Sequence, residues 1–203
     1  MNLISNTCLS ALLTKDSIKQ EYENPFCWNV IDFNSMYYLI KNFENINFNN
    51  FDLTKDDKWN FTLVIDNNIK VKYVHYLFDK NAKQIITKGP NVYYCKIWEY
   101  IIKKYIERTE RMLKIQNKPI FIIGSIHHLK DHSYTENEIL KICKICTEKG
   151  YKCIIANKNF DFSTKYPNIK FIKTKSTDKQ FGNGGFAKEI YPQIKEYLNE
   201  KSL

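Results

Sequence analysis

Arginine is nearly absent from this chain. Arg108 and Arg111 are the only two among 31 basic residues, and the rest are lysines spread along the whole length. The net charge of +9 therefore supplies diffuse attraction, not the forked grip with which arginine reads phosphates and base edges. Specific nucleic-acid binding is not expected. No apolar run is long enough to cross a bilayer, which argues against a membrane span and leaves peripheral association with an anionic surface open. The N-terminus lacks a basic stretch followed by a long apolar one, so a secretory signal is not expected either. Six cysteines at irregular spacing do not make the framework of a disulfide-rich secreted module. The expected setting is a reducing cytoplasm. No repeat and no Ser-, Gly- or Pro-rich linker divides the chain, so residues 1–203 are read as a single α/β domain.

What is present is a packable core, with 43% hydrophobic and 15% aromatic residues, enough to exclude a disordered chain. Asn2–Ser5 reads as a short strand. Asp32 caps a helix on which Phe33, Met36, Tyr37 and Ile40 share a face. The Asn-rich tract 42–50 reads as a loop. Trp59, Phe61, Leu63 and Ile65 alternate, Asp66-Asn67-Asn68 supplies a turn, and Ile69, Val71, Tyr73, His75 and Leu77 alternate back, predicting an antiparallel hairpin over about 59–78. A long helix follows near Val92–Ile115, with Trp98, Ile101, Ile102 and Tyr105 as its apolar stripe. From Pro119 the pattern turns to parallel α/β. Ile120–Ile123 is a continuous apolar strand, Thr135 to Glu138 is a capping box, and Gly150 ends the helix it opens. Tyr151–Ala156 and Ile169–Lys173 are further strands, and Phe186–Leu198 is the last helix. The predicted fold is a mostly parallel sheet flanked by helices, with an antiparallel hairpin inserted.

Cys8 has the most suggestive address. It lies where the Asn2–Ser5 strand gives way to the i, i+3, i+4 spacing of Leu9, Leu12 and Leu13. At a helix start, free N–H groups and the helix dipole favour a thiolate over a thiol. The plainer use of such a residue is a small buried hydrophobe. If the Asn2–Ser5 strand joins the parallel sheet, three loops converge at the carboxyl ends of the strands, where open α/β sheets bind ligands. They carry Cys8, the histidines His127, His128 and His132, and Phe181-Gly182-Asn183-Gly184-Gly185.

A thiol nucleophile needs a base in reach and donors for the oxyanion. His75 and His127 are the candidate bases, and Asn6 with the backbone at the helix start is the candidate oxyanion donor. His75 on an apolar strand face serves equally as a core histidine, and His127 and His128 as solvated loop residues. Cys143-Lys144-Ile145-Cys146 is a CxxC pair inside a predicted helix, with no second pair to complete a zinc site, so it is read as core packing and no metal is expected. Gly182, Asn183, Gly184 and Gly185 match neither GxGxxG nor GK[ST]. They precede a helix, with Lys173, Lys175, Ser176 and Lys179 close before them, a setting that suits a phosphate and equally a plain helix-entry loop. Arg108 and Arg111 point to contacts lysine cannot make, although Glu107 and Arg111 also have the spacing of an ordinary helix-surface pair.

Ser5-Asn6-Thr7-Cys8, Asn24-Pro25-Phe26-Cys27-Trp28, the Phe33–Phe43 helix, Val74-His75-Tyr76, and Tyr105 to Arg111 ahead of the Pro119–Ile123 strand resemble a bacterial family of papain-like cysteine peptidases and related exopolysaccharide-biosynthesis proteins. The resemblance spans about residues 1–155. It implies a Cys8/His75 pair and a role in surface-glycan assembly. Asp66 and Asp79 are the candidates for a third triad member.

The expected function is a cysteine-dependent acyl transferase or hydrolase in cell-surface polysaccharide (capsule) biosynthesis, acting on a glycan or glycan precursor. Coenzyme A or a nucleotide sugar is the candidate donor, its phosphates held by the glycine-rich loop. A nucleotide-sugar-dependent group transferase in which Cys8 is structural is the alternative. A non-catalytic subunit of the same pathway is the third possibility. Oligomeric state is not readable from the sequence.

Overall fold

The computed structural model describes residues 2–5, 24–27, 29–55, 61–73, 90–124, 134–157, 161–163, 165–174, 190 and 192–197. They form two four-stranded sheets. Strands β1 (Leu3–Ser5), β6 (Ile120–Gly124), β7 (Lys152–Asn157) and β8 (Ile169–Lys173) make a parallel sheet in that spatial order. Strands β2 (Asn29–Ile31), β5 (Ile69–Tyr73), β4 (Phe61–Ile65) and β3 (Phe51–Lys55) make an antiparallel one. The helices are α1 (Phe33–Asn42), α2 (Pro90–Leu113) and α3 (Glu136–Lys149), and a last helical stretch covers 192–197.

The α/β architecture with a parallel sheet and an antiparallel element is as expected, but that element is larger than a hairpin. The predicted hairpin is present as β4 and β5. Asp66 and Asn67 both take positive φ, 51° and 58°, and Asn68 N–H closes the turn onto the Ile65 carbonyl at 3.1 Å. This is the primed turn that matches strand twist. β2 and β3 then pair on either side. Neither is legible by alternation, because β2 has three residues and β3 follows the Asn-rich tract directly. Across this sheet Ile31, Val71, Leu63 and Leu53 align in one row, all buried. Each contributes about 1.5–3 kcal/mol by leaving water.

Alternation divides the parallel sheet between two apolar clusters. Ile4, Phe121, Ile123, Cys153, Ile155 and Ile169 face the cluster that also holds α3, α1 and the inner row of the antiparallel sheet. Leu3, Ile120, Ile122, Ile154, Ala156 and Ile172 face Ile190 and Ile194. Both faces are covered, which is why these strands read as continuous apolar runs.

Local chemistry sets the joints. Asp32 caps α1 by accepting from Ser35 N–H at 2.9 Å and from the Ser35 hydroxyl at 2.9 Å. Ser35 Oγ in turn accepts from the Lys70 N–H at 2.9 Å. Since β2 ends at Ile31, opposite Val71, this hydroxyl takes the place of a ladder partner. Thr135 and Glu138 form the capping box of α3, and Gly150 ends it in the left-handed region with φ 65°. The Tyr134 hydroxyl donates to the Ile31 carbonyl at 3.0 Å, tying the entrance of α3 to the antiparallel sheet. Asn24 is fully buried. Its Nδ2 donates to the Leu3 carbonyl at 2.7 Å and its Oδ1 accepts from Phe26 N–H at 3.0 Å.

Asn24→Ala leaves two buried backbone groups unpaired and is expected to cost about 2–4 kcal/mol in urea unfolding. Ser35→Ala strands the Lys70 N–H at a partly exposed site and is expected to cost about 1 kcal/mol. A wild-type midpoint for Asn24→Ala would mean that the turn at 24–27 does not hold β1.

Candidate functional site

The carboxyl ends of the four parallel strands change character together. Apolar pairs give way to Ser5 after Ile4, Gly124 after Ile123, Asn157 after Ala156, and Thr174 one residue past β8. Ser5, Asn157 and Thr174 are buried, and the Thr174 N–H donates to the Asn157 carbonyl at 3.0 Å. Buried polar groups must find hydrogen bonds, so a row of them at one edge makes a polar rim on an otherwise apolar sheet. That rim is on the side where such sheets hold ligands.

β1 does join the parallel sheet, with Leu3 opposite Ile120 and Ser5 opposite Ile122. The premise for convergence of the three loops is therefore met. The strand order β1-β6-β7-β8 follows chain order, so among the described strands there is no reversal of winding. A switch-point crevice is not what marks this edge; the polar rim is.

The loops themselves, with Asn6, Cys8, His127, His128, His132 and Gly182 to Gly185, lie outside the described residues, as do His75 and Asp79. Asp66 is described, and it does not suit the role of third triad member. It occupies the hairpin tip, where its Oδ2 accepts from the Tyr38 hydroxyl at 3.4 Å. The chain continues toward His75 from Tyr73, at the opposite end of β5.

Four other cysteines are described, and they have structural settings. Cys27, Cys143, Cys146 and Cys153 are buried thiols outside any disulfide. Cys143 and Cys146 point into the core from α3, and Cys153 meets them from β7. Burial pushes the Cys143 thiol up to about 12, with Cys146 adding to the rise. The Cys153 thiol is raised as well, by burial first and then by its hydrogen bond to Cys146. Such thiols are poor nucleophiles at neutral pH. Among the described residues no group of three or more His, Cys, Asp or Glu side chains could hold a metal ion.

The arginines are partly explained. Arg108 Nη1 reaches the Cys27 carbonyl at 3.5 Å, so this guanidinium spans from α2 to the 24–27 turn beside β1. The Glu107–Arg111 pair suggested by spacing does not form. Glu107 takes Lys104 instead, at 3.3 Å, and Arg111 Nε is buried without a hydrogen-bond partner.

A feature the sequence did not reveal is an open groove of about 450 Å³ on the outer face of the antiparallel sheet. It is lined by Val30, Asp32, Thr54, Thr62, Val64, Lys70 and Lys72. Val30, Lys72, Thr62 and Thr54 are register partners across all four strands, so the groove could not be assembled without β2 and β3. It brings the two ammonium groups of Lys70 and Lys72, the hydroxyls of Thr54 and Thr62 and the Asp32 carboxylate to one surface. It lies on the sheet face opposite the core row and not at the rim. The N-terminus of α3 is no anion site, since Glu136 and Glu138 already stand in its first turn.

The thiol cluster gives a pH dependence. A thiol whose folded pKa lies above its unfolded value keeps its proton more tightly in the native state. Its contribution is full below the unfolded value near 9 and is lost as pH rises toward about 12. Tyr151, also raised to about 12 from 10 by burial and by Glu44, acts in the same direction. Melting temperature is expected to fall progressively above pH 9, and Cys143→Ala is expected to flatten that fall while lowering stability at pH 7. An unchanged alkaline slope in this variant would remove the thiol from the account.

No protein-family model, curated protein or solved structure matches this chain.

Proposed function

We propose that the protein is a cysteine-dependent acyl transferase or hydrolase that works at the carboxyl edge of the parallel sheet, on a glycan precursor for cell-surface polysaccharide. The observation that carries the reading is the parallel pairing of β1 with β6 as immediate neighbours. Cys8 comes three residues after Ser5, and His127 comes three residues after Gly124. Neighbouring strands are about 4.8 Å apart, and three residues span at most about 10 Å. A thiol and an imidazole leaving adjacent strands at the same edge can meet over it. His75 is the other candidate base, since it follows Tyr73, which pairs with Asn29 just past the 24–27 turn that holds β1.

In this reading the Cys8 sulfur attacks an acyl carbon as His127 takes its proton, and Asn6 helps to hold the oxyanion. The imidazolium returns the proton to the leaving group, and a sugar hydroxyl or water then attacks the thioester with the same histidine as base. Asn157 and Thr174 support a polar ligand group at the β7–β8 end of the rim. The Gly182–Gly185 segment beyond β8 would take the phosphates of coenzyme A or a nucleotide sugar. The same half of the rim, without the thiol, would serve a nucleotide-sugar-dependent group transferase. Nucleotide-sugar stabilisation that survives Cys8 alkylation would favour that second reading.

The test is iodoacetamide labelling across pH, read by peptide mass spectrometry. Cys27, Cys143, Cys146 and Cys153 are buried and are expected to stay unlabelled in the native protein. Cys8 is expected to label fastest, with a midpoint below the ordinary thiol value of about 8.5, and His127→Ala is expected to raise that midpoint. A Cys8 that labels no faster than a simple thiol would sink the nucleophile. A midpoint moved by His75→Ala and not by His127→Ala would reassign the base.

A further inference from the structure

Helix α2 buries Ile97, Ile101, Tyr105 and Met112 and turns a second apolar line outward. Ile106 is 42% exposed and Leu113 58% exposed. Ile102, half-buried, and Thr109, at its floor, continue the line. Ile102, Ile106, Thr109 and Leu113 alternate four and three apart, the a/d spacing of a helix that packs along another helix.

The flanking charges say which helix. Glu99, Lys103, Glu110 and Lys114 are all exposed on this side, and among the described residues none of them is in an ion pair. Lys104 and Glu107, further round the helix, pair with each other instead. Laid antiparallel on a copy of itself, the helix sets Lys103 against Glu110 of the second copy and Glu99 against Lys114. Both pairings follow from a single two-fold axis passing between residues 106 and 107. Nearly the same axis layers Ile102 on Leu113, with Ile106 beside the two-fold axis itself. A two-fold interface must be complementary to itself, and an arbitrary charged helix face is not.

We propose that the protein forms a two-fold homodimer through an antiparallel pairing of α2, with Ile102, Ile106 and Leu113 as the seam and Lys103–Glu110 as reciprocal ion pairs. The dimer is independent of the reaction assigned to the sheet edge.

Sedimentation velocity over a micromolar concentration series is expected to show a monomer–dimer equilibrium. Lys103→Glu alone, or Glu110→Lys alone, places like charges together twice and is expected to weaken association roughly ten-fold or more. An equimolar mixture of those two variants restores both attractions and is expected to form a heterodimer. Ile106→Asp is expected to give monomer at all concentrations, with an unchanged far-ultraviolet circular dichroism spectrum reporting an intact fold. A wild-type protein that stays monomeric throughout the series overturns the proposal. So does a dimer indifferent to either charge reversal, or a failure of the mixed variants to associate.

Discussion

The pairing of a three-residue strand, β1, along the edge of β6 is the constraint on which the rest of the molecule depends. Leu3 and Ile4 point to opposite faces, so this short segment contributes to both apolar clusters at once. Three residues make few ladder bonds, and the pairing is reinforced from the sides. Asn24 holds the Leu3 carbonyl at 2.7 Å, and the Ile120 N–H reaches back to the Asn2 carbonyl at 2.8 Å. Asn2 also donates to the Met112 carbonyl at 3.1 Å, which joins the start of β1 to the last turn of α2. The same pairing defines the edge from which the chain runs toward Cys8.

The antiparallel sheet is half of the architecture, not an ornament on a loop. Its inner row feeds the same apolar cluster as one face of the parallel sheet, and α1 bridges the two by packing against α3 and β5. Specific polar joints fix it among the described residues. Tyr134 ties it to the entrance of α3, Ser35 ends its β2 side, and the Tyr105 hydroxyl donates to the Phe48 carbonyl at 2.6 Å beside β3. Because each joins segments far apart in sequence, the sheet is positioned by tertiary contacts instead of by its own turns.

Burial sorts the chemistry of the chain. A thiol in the core is held protonated by the cost of placing a charge there, and Cys143 and Cys153 are of this kind. Apart from Thr109 within α2, the buried polar residues described lie at or near element ends, where backbone donors and acceptors need partners. Among the described residues, polar groups gather at the rim of the parallel sheet and in the outer groove of the antiparallel one. The lysine-rich surface adds attraction for anions at both without selecting between them.

Much of the fold is legible in the sequence because the signals are local. The capping box at Thr135, the stop at Gly150, the Asp66-Asn67 turn and the apolar runs of β6 and β7 each depend on residues within a few positions of one another. They set where elements begin and end. Cys143 and Cys146 are legible as core residues for the same reason, sharing a helix face with Ile139. What only the tertiary structure decided are the pairings that close large loops. Three-residue β2 and the Phe51–Lys55 strand carry no alternation long enough to read, and become strands only because β5 and β4 offer them partners. Glu107 has the spacing to meet Arg111, yet its carboxylate goes to Lys104 while Arg108 turns to the Cys27 carbonyl. The polar rim exists only once Ser5, Gly124, Asn157 and Thr174, scattered along 170 residues of chain, are brought to one edge by parallel register. Sequence determines local conformation through short-range sterics and hydrogen bonding. Which distant segments become neighbours is set by the burial of shared apolar surface, and that no local pattern records.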